Sequence, residues 1–229
     1  MKKWILILMV ISGFNTNAAI VAEGDDCGDD CHWAYDDETK TLSFKGKGTM
    51  YHYTTDQQNH DIAGMKWWTE RPWVDYISLV ENLTVSDGFT MLPMYLCTDC
   101  INLKSISLPD TLESISVCSF LNTALTDVII PSSVTYVSNE AFLGTSSLKT
   151  LYCTKAQAKQ CAAAAELSYS GVIPAIYEQT SDGNYKVGSK IYNSLNDMQS
   201  GNNVKFRIYT IEEANAVAGK VNSVKIRYR

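Results

Sequence analysis

Val80, Leu103, Leu125 and Leu148 stand 23, 22 and 23 residues apart, and the apolar residues that follow each of them repeat at the same spacing. Leu83 falls with Ile106, Val128 and Leu151, and Val85 with Leu108, Ile130 and Cys153. The next columns are Phe89, Leu112 and Val134, then Leu92, Ile115 and Val137, then Cys97, Phe120 and Phe142. A unit this short cannot bury so many apolar positions by itself, so copies must stack and share one core. The trios Leu83-Thr84-Val85, Ile106-Ser107-Leu108 and Val128-Ile129-Ile130 point their first and third side chains inward, as period-two strands do. Stacking lays these strands side by side as a parallel ladder. Pro109 and Pro131 end two of them, because proline has no N–H to give. The stretch around Phe120 and Phe142 then returns the chain by a helical turn or irregular arc, with the rings buried between coils.

The same columns resemble those of the BspA-like (type 5) leucine-rich-repeat family of bacterial-type surface proteins. The resemblance is carried by Leu125-Thr126-Asp127-Val128-Ile129-Ile130-Pro131-Ser132-Ser133-Val134-Thr135 followed by Glu140-Ala141-Phe142. Upstream, Cys31-His32-Trp33, Asp36 to Leu42, Gly46 to Met50 and Pro72-Trp73 look like the hairpin that often precedes such repeats. The first unit departs from the pattern, with Leu96-Cys97 where the family favours Ala-Phe, and the second has Ser119 where it favours Ala. The resemblance spans about residues 27 to 161. It implies a repeat solenoid of short parallel strands with an N-terminal β-hairpin cap; with the last segment read below, the expected fold class is an α/β repeat solenoid with that cap and a small C-terminal α+β module. The resemblance also implies surface exposure or secretion, adhesion or protein-protein binding, and no catalytic residues.

Four segments are expected: a signal peptide over 1–18, a hairpin cap and loop over 19–77, the repeats with a capping helix over 78–175, and the α+β module over 176–229. Lys2 and Lys3, the apolar run from Trp4 to Ile11 and the small Ala18 form the leader pattern of an exported protein, secreted, periplasmic or displayed at the cell surface. No segment reaches the roughly 20 apolar residues of a membrane span. The hairpin reads as His32 to Tyr35 and Thr41 to Lys45 around an Asp36 to Lys40 turn, and residues 51–71 read as a loop. Thr154 is the expected start of a helix running to about Glu166. The last segment reads as a hairpin from Asn184 to Tyr192, a strand from Val204 to Tyr209, a helix opened by Thr210-Ile211-Glu212-Glu213, and a strand from Val221 to Tyr228.

The chain has 19 basic and 25 acidic residues, and loss of the leader removes two lysines and leaves a net charge of −8. Such a balance lacks the basic surface that nucleic acid requires. The charge is uneven: residues 176–229 carry eight basic and five acidic side chains, and 19–175 nine basic and twenty acidic. Seven cysteines in an exported chain read first as cross-links, with Cys27–Cys31 and Cys153–Cys161 the local pairs. The pairing of Cys97, Cys100 and Cys118 stays open. Zinc at Cys27, Cys31 and His32 would lack a fourth ligand, and Asp25, Asp26, Asp29 and Asp30 lack the ligand alternation of a calcium loop. His52, His60 and Asp61 lack a fixed third partner and read as a polar loop. No cofactor or metal is therefore expected, and no nucleophile elbow, metalloprotease helix or phosphate loop occurs.

The expectation is a non-enzymatic recognition protein for a protein or glycoprotein ligand. Its face is the outward column Thr84, Ser107, Ile129 and Tyr152, flanked by Asn82, Ser105, Asp127 and Thr150. Ile129 and Tyr152 are the expected apolar anchor. A surface spacer without a heterologous ligand is the alternative reading, and a secreted hydrolase the third.

Overall fold

The computed structural model describes residues 19–54, 65–67, 70–188 and 190–200. The expected leader and the elements expected beyond residue 203 lie outside these residues. In chain order the strands are β1 (Ile20–Gly24), β2 (Cys31–Asp36), β3 (Thr41–Gly46), β4 (Gly48–Thr49), β5 (His52–Thr54), β6 (Met65–Trp67), β7 (Asn82–Val85), β8 (Phe89–Leu92), β9 (Ser105–Ser107), β10 (Ser114–Ile115), β11 (Asp127–Ile129), β12 (Tyr136–Val137) and β13 (Thr150–Cys153). Helix α1 (Ala158–Leu167) follows, then β14 (Ala175–Gln179), β15 (Tyr185–Val187), β16 (Lys190–Tyr192) and helix α2 (Leu195–Ser200).

The first three units each carry two short strands and the fourth carries one; the first strands fall into two sheets, one holding β7 and β9 and the other β11 and β13. Strands β7 and β9 pair in parallel with Leu83 beside Ile106, and β11 and β13 pair in parallel with Val128 beside Leu151. The second strands, β8, β10 and β12, pair in parallel with Leu92 beside Ile115 and Ile115 beside Val137. All seven of these apolar side chains are buried. The strands end before Pro109 and Pro131, whose carbonyls accept from Leu112 N and Val134 N and turn the chain toward the second strands.

The return arcs form a ladder without regular strands. Cys97 N donates to Ser119 O (2.8 Å) and Asp99 N to Leu121 O (2.9 Å); in the next coil Phe120 N donates to Ala141 O and Asn122 N to Leu143 O, both at 2.9 Å. These N–H groups reach the next coil because the backbone turns left-handed at fixed places. Tyr95 and Cys118 have φ of 59° and 54°, and Asp99, Asn122 and Gly144 have 61°, 55° and 70°. Side chains strain there, and asparagine and aspartate bear it best. Gly144 has a second reason to be glycine, since a Cβ would lie 2.4 Å from Asn122 Oδ1. Phe120 and Phe142 stack between the coils with centroids 5.4 Å apart and an interplanar angle of 10°.

Before the repeats, β2 and β3 form an antiparallel hairpin, and β3 joins β7 in parallel with Leu42 beside Leu83 and Phe44 beside Val85. The turn holds because Asp36 Oδ1 accepts from Glu38 N and Thr39 N, as aspartate does in tight turns. Two features differ from the sequence expectation. A further strand, β1, pairs with β2, and β5 and β6 pair in parallel where a loop was expected. The core here is aromatic: Trp73 meets Phe44, Tyr53 and Trp33 at centroid distances of 4.7, 5.6 and 6.0 Å. Trp73 Nε1 donates to Leu96 O (3.0 Å), and the buried Arg71 donates through Nη1 to the carbonyls of Tyr95 (2.8 Å), Leu96 (3.3 Å) and Thr98 (3.0 Å).

At the other end α1 starts at Ala158, four residues later than Thr154. Residues 155–157 form a tighter turn, in which Gln157 Oε1 accepts from Thr154 N (2.8 Å). Gln157 Nε2 also donates to Pro131 O (2.7 Å) and Val134 O (2.8 Å). Gln160 accepts from Val137 N (2.6 Å) and donates to Thr135 O (3.1 Å). Two glutamine side chains thus pair the peptide groups of β12 and its approach that face away from the preceding coil.

The expected boundary between residues 175 and 176 falls inside β14. That strand pairs in parallel with β13, and β15 and β16 continue the sheet as an antiparallel hairpin. The final segment begins as an extension of the sheet of β11 and β13.

Candidate functional site

Side chains that point outward from β3, β7 and β9 form two rows. Ser43, Thr84 and Ser107 share one, and Thr41, Asn82 and Ser105 the other. The inward partners of these residues are fixed in the core, so the outward rows are fixed as well. Thr84 and Ser107 are exposed, while Asn82 and Ser105 are half-buried by mutual contact. Ser105 Oγ donates to Asn82 Oδ1 (2.6 Å), and Asn82 Nδ2 donates to Thr39 O (2.9 Å). Beside them Lys104 Nζ meets Glu81 Oε2 at 2.8 Å, an exposed pair of little energetic weight. This half of the face is flat, hydroxylated and open.

In the sheet of β11 and β13 the corresponding outward pairs are Asp127 beside Thr150 and Ile129 beside Tyr152, all half-buried. Ile129 and Tyr152 pack against the buried side chains of Tyr177, Tyr192 and Met198 from the last described segment. Tyr177 Oη donates to Ile130 O (2.8 Å), which fixes that segment to the end of β11. Burial, and then the neighbouring Tyr192 and Asp127, raise the Tyr152 phenol above its ordinary pKa. The open apolar anchor expected of Ile129 and Tyr152 must be corrected: the chain uses that apolar pair internally. The physical reason is that two adjacent apolar side chains on a polar sheet gain most by meeting the nearest apolar segment, here their own. The apolar set Tyr177, Tyr185, Val187 and Tyr192 marks the later segment as half-buried in the sequence without saying what it covers.

Of the other candidates, Cys27 and Cys31 form a disulfide with Cα atoms 5.4 Å apart. They therefore offer no thiolate for zinc, and His32 Nδ1 is held by Asp25 at 2.7 Å. Among the described residues no group of three or more His, Cys, Asp or Glu side chains is placed to hold a metal ion. Cys153 and Cys161, expected as a cross-link, are both buried, with their thiols unjoined in this structure. His52 Nδ1 accepts from Met94 N (3.3 Å), and burial lowers its pKa. His60 and Asp61 lie outside the described residues. In the sequon Asn82-Leu83-Thr84, Leu83 is in the core.

Repeating 22- and 23-residue coils whose short strands pair in parallel with those of neighbouring coils define a leucine-rich-repeat protein, strand-rich and poor in helix. Residues 76–164 match the BspA type leucine rich repeat region in six copies. Among solved structures it is similar to a leucine rich cell surface protein from Faecalibacterium prausnitzii, 28% identical over 47% of this chain and 26% of that one, with a TM-score of 0.32. It is also similar to a leucine-rich repeat protein from Eubacterium ventriosum, 13% identical over 73% and 49%, TM-score 0.34. A third is the pneumococcal vaccine antigen PcpA, 29% identical over 32% and 18%, TM-score 0.30. The chain spans half the length of these proteins or less. No curated protein matches it.

Proposed function

We propose that this chain is an exported, surface-exposed recognition protein that binds a protein or glycoprotein ligand without catalysis. In this reading the coils form a short solenoid, closed by the hairpin region (19–77) at one end and by α1 at the other, with residues 176–229 as a tail module. The observation that carries the reading is the open polar half of the candidate face, where Thr84 and Ser107 are exposed beside Asn82 and Ser105. Repeat proteins bind through extended faces of this kind. Hydroxyl and amide groups held on rigid strands lose little entropy when a partner docks. Ile129 and Tyr152 enter this proposal only as the seat of the tail; Asp127 and Thr150 mark the border between the two halves. Support for the exported location comes from the leader pattern and from the family. No helix among the described residues is long and apolar enough to cross a membrane.

The test is a binding screen of the chain against an array of extracellular proteins and glycoproteins, repeated with Thr84→Arg and Ser107→Arg. The expected result is a captured partner whose affinity falls about tenfold or more in each variant. Tyr136→Arg, placed on β12 where Tyr136 is 53% exposed, leaves that affinity unchanged. Capture of nothing, or equal binding by both arginine variants and the parent, would overturn the proposal and leave the spacer reading in its place.

A further inference from the structure

The seven cysteines fall in the folded chain into three neighbouring pairs and one separate residue. Cys27 and Cys31 are already joined. Cys97 and Cys100 are both fully buried, and the neighbouring Cys100, with burial, raises the Cys97 thiol well above its ordinary pKa. Cys100 N donates to Cys97 O (3.1 Å), so the two residues are the ends of a tight turn, with Asp99 left-handed at φ 61°. A turn of this kind holds its end Cα atoms within about 7 Å, and a disulfide spans about 4.4 to 6.8 Å, so the ranges overlap without backbone movement. Cys153 ends β13 and Cys161 lies in the helix that packs on it; both are fully buried, and the neighbouring Cys153, then burial, raises the Cys161 pKa. Cys118 instead directs its sulfur to Glu140 Oε2 at 3.9 Å, and its pKa is pushed up to about 11, by burial and then by that carboxylate.

The positions of the pairs carry the argument further. A stacked repeat is weakest at its ends, where a coil has one neighbour instead of two. The Cys97–Cys100 turn presents the carbonyls of Leu96 and Thr98 that, with Tyr95, receive Arg71 and Trp73. The Cys153–Cys161 pair joins the last repeat strand to the helix that carries Gln157 and Gln160. We propose that when this chain folds under oxidising conditions Cys97–Cys100 and Cys153–Cys161 close as disulfides beside Cys27–Cys31, leaving Cys118 as its one thiol. Each closure is a dithiol-disulfide exchange with a small disulfide of the glutathione class. One cysteine thiolate attacks the donor, forming a mixed disulfide and releasing a donor thiolate. The partner thiolate then attacks the protein-side sulfur and expels the second donor thiolate. Two electrons pass from the cysteine pair to the donor disulfide, and the two cysteine protons end on the donor thiols. Exchange precedes the final packing, because both sulfurs of each pair are enclosed afterwards.

The experiment refolds the full chain in mixed reduced and oxidised glutathione, unfolds it without reductant, alkylates it with iodoacetamide and maps the peptides by mass spectrometry. The expected map has Cys118 alone labelled, and Cys97 and Cys100 unlabelled on a peptide two hydrogens lighter than its reduced form. Cys153 and Cys161 are linked. Label on any of these four, or a bridge from Cys118 to one of them, overturns the proposal. Cys118→Ala supplies the second measurement: no label anywhere supports the scheme, and any remaining label overturns it.

Discussion

The two ends of the repeat stack face one physical problem and meet it with different chemistry. A terminal coil leaves a row of peptide groups with no neighbouring coil to bond, and unpaired buried groups cost about 1–3 kcal/mol each. At the N-terminal end an aromatic cluster around Trp73 fills the volume, while Arg71 and the indole N–H take the carbonyls of Tyr95, Leu96 and Thr98. At the C-terminal end the volume is filled by the small Cys161, Ala164 and Ala165 of α1, and two glutamines take peptide groups of Pro131, Val134, Thr135 and Val137. One end therefore depends chiefly on apolar burial and the other chiefly on hydrogen bonding.

That contrast can be broken by substitution. Trp73→Ala has the largest expected effect, a loss of about 3–5 kcal/mol for a buried ring plus its hydrogen bond, read as a shift in denaturant midpoint. Arg71→Met follows at about 3 kcal/mol, since the three carbonyls lose their shared donor while the apolar stem is kept. Gln157→Leu keeps the volume and strands the Pro131 and Val134 carbonyls, for a loss of about 2 kcal/mol by the same assay. A cost for Gln157→Leu as large as that for Trp73→Ala would erase the distinction drawn between the ends. Gln160→Ala, at a half-exposed site, is expected to cost about 1 kcal/mol and to speed amide exchange at Val137.

The smallest effect is a pH dependence confined to the N-terminal end, because all three histidines precede the repeats. Burial depresses the His52 pKa, so the unfolded chain takes up a proton before the folded one does. Stability therefore falls as the pH drops through the ordinary histidine range near 6.5 and levels off below the folded pKa. Thermal unfolding at successive pH values should show this slope, and His52→Asn should flatten it.

Much of the stack was legible in the sequence because its determinants are periodic. Leu83, Ile106, Val128 and Leu151 announce their strands by spacing alone, and Phe120 and Phe142 announce the buried arcs. The ends were less legible because they are each used once. Nothing in the spacing marks Gln157 and Gln160 as peptide mimics, since glutamine on a helix is ordinarily a solvated residue. The candidate face was half legible. Outward positions follow from strand alternation, but the cover on Ile129 and Tyr152 depends on how a later segment folds back, which no local pattern encodes. Strand β14 was missed for a related reason: Ala175 to Gln179 has little alternation of its own and takes its register from β13.

The two glutamines also bear on how long such a protein is. Each amide carries a carbonyl and N–H groups, the same complement a further coil would present. A stack that ends on them has met a chain terminator made of side chains, and insertion of one more 22- or 23-residue unit ahead of α1 would simply hand the terminator to the new last coil. Length in this architecture can then change by whole units while both closing structures stay as they are.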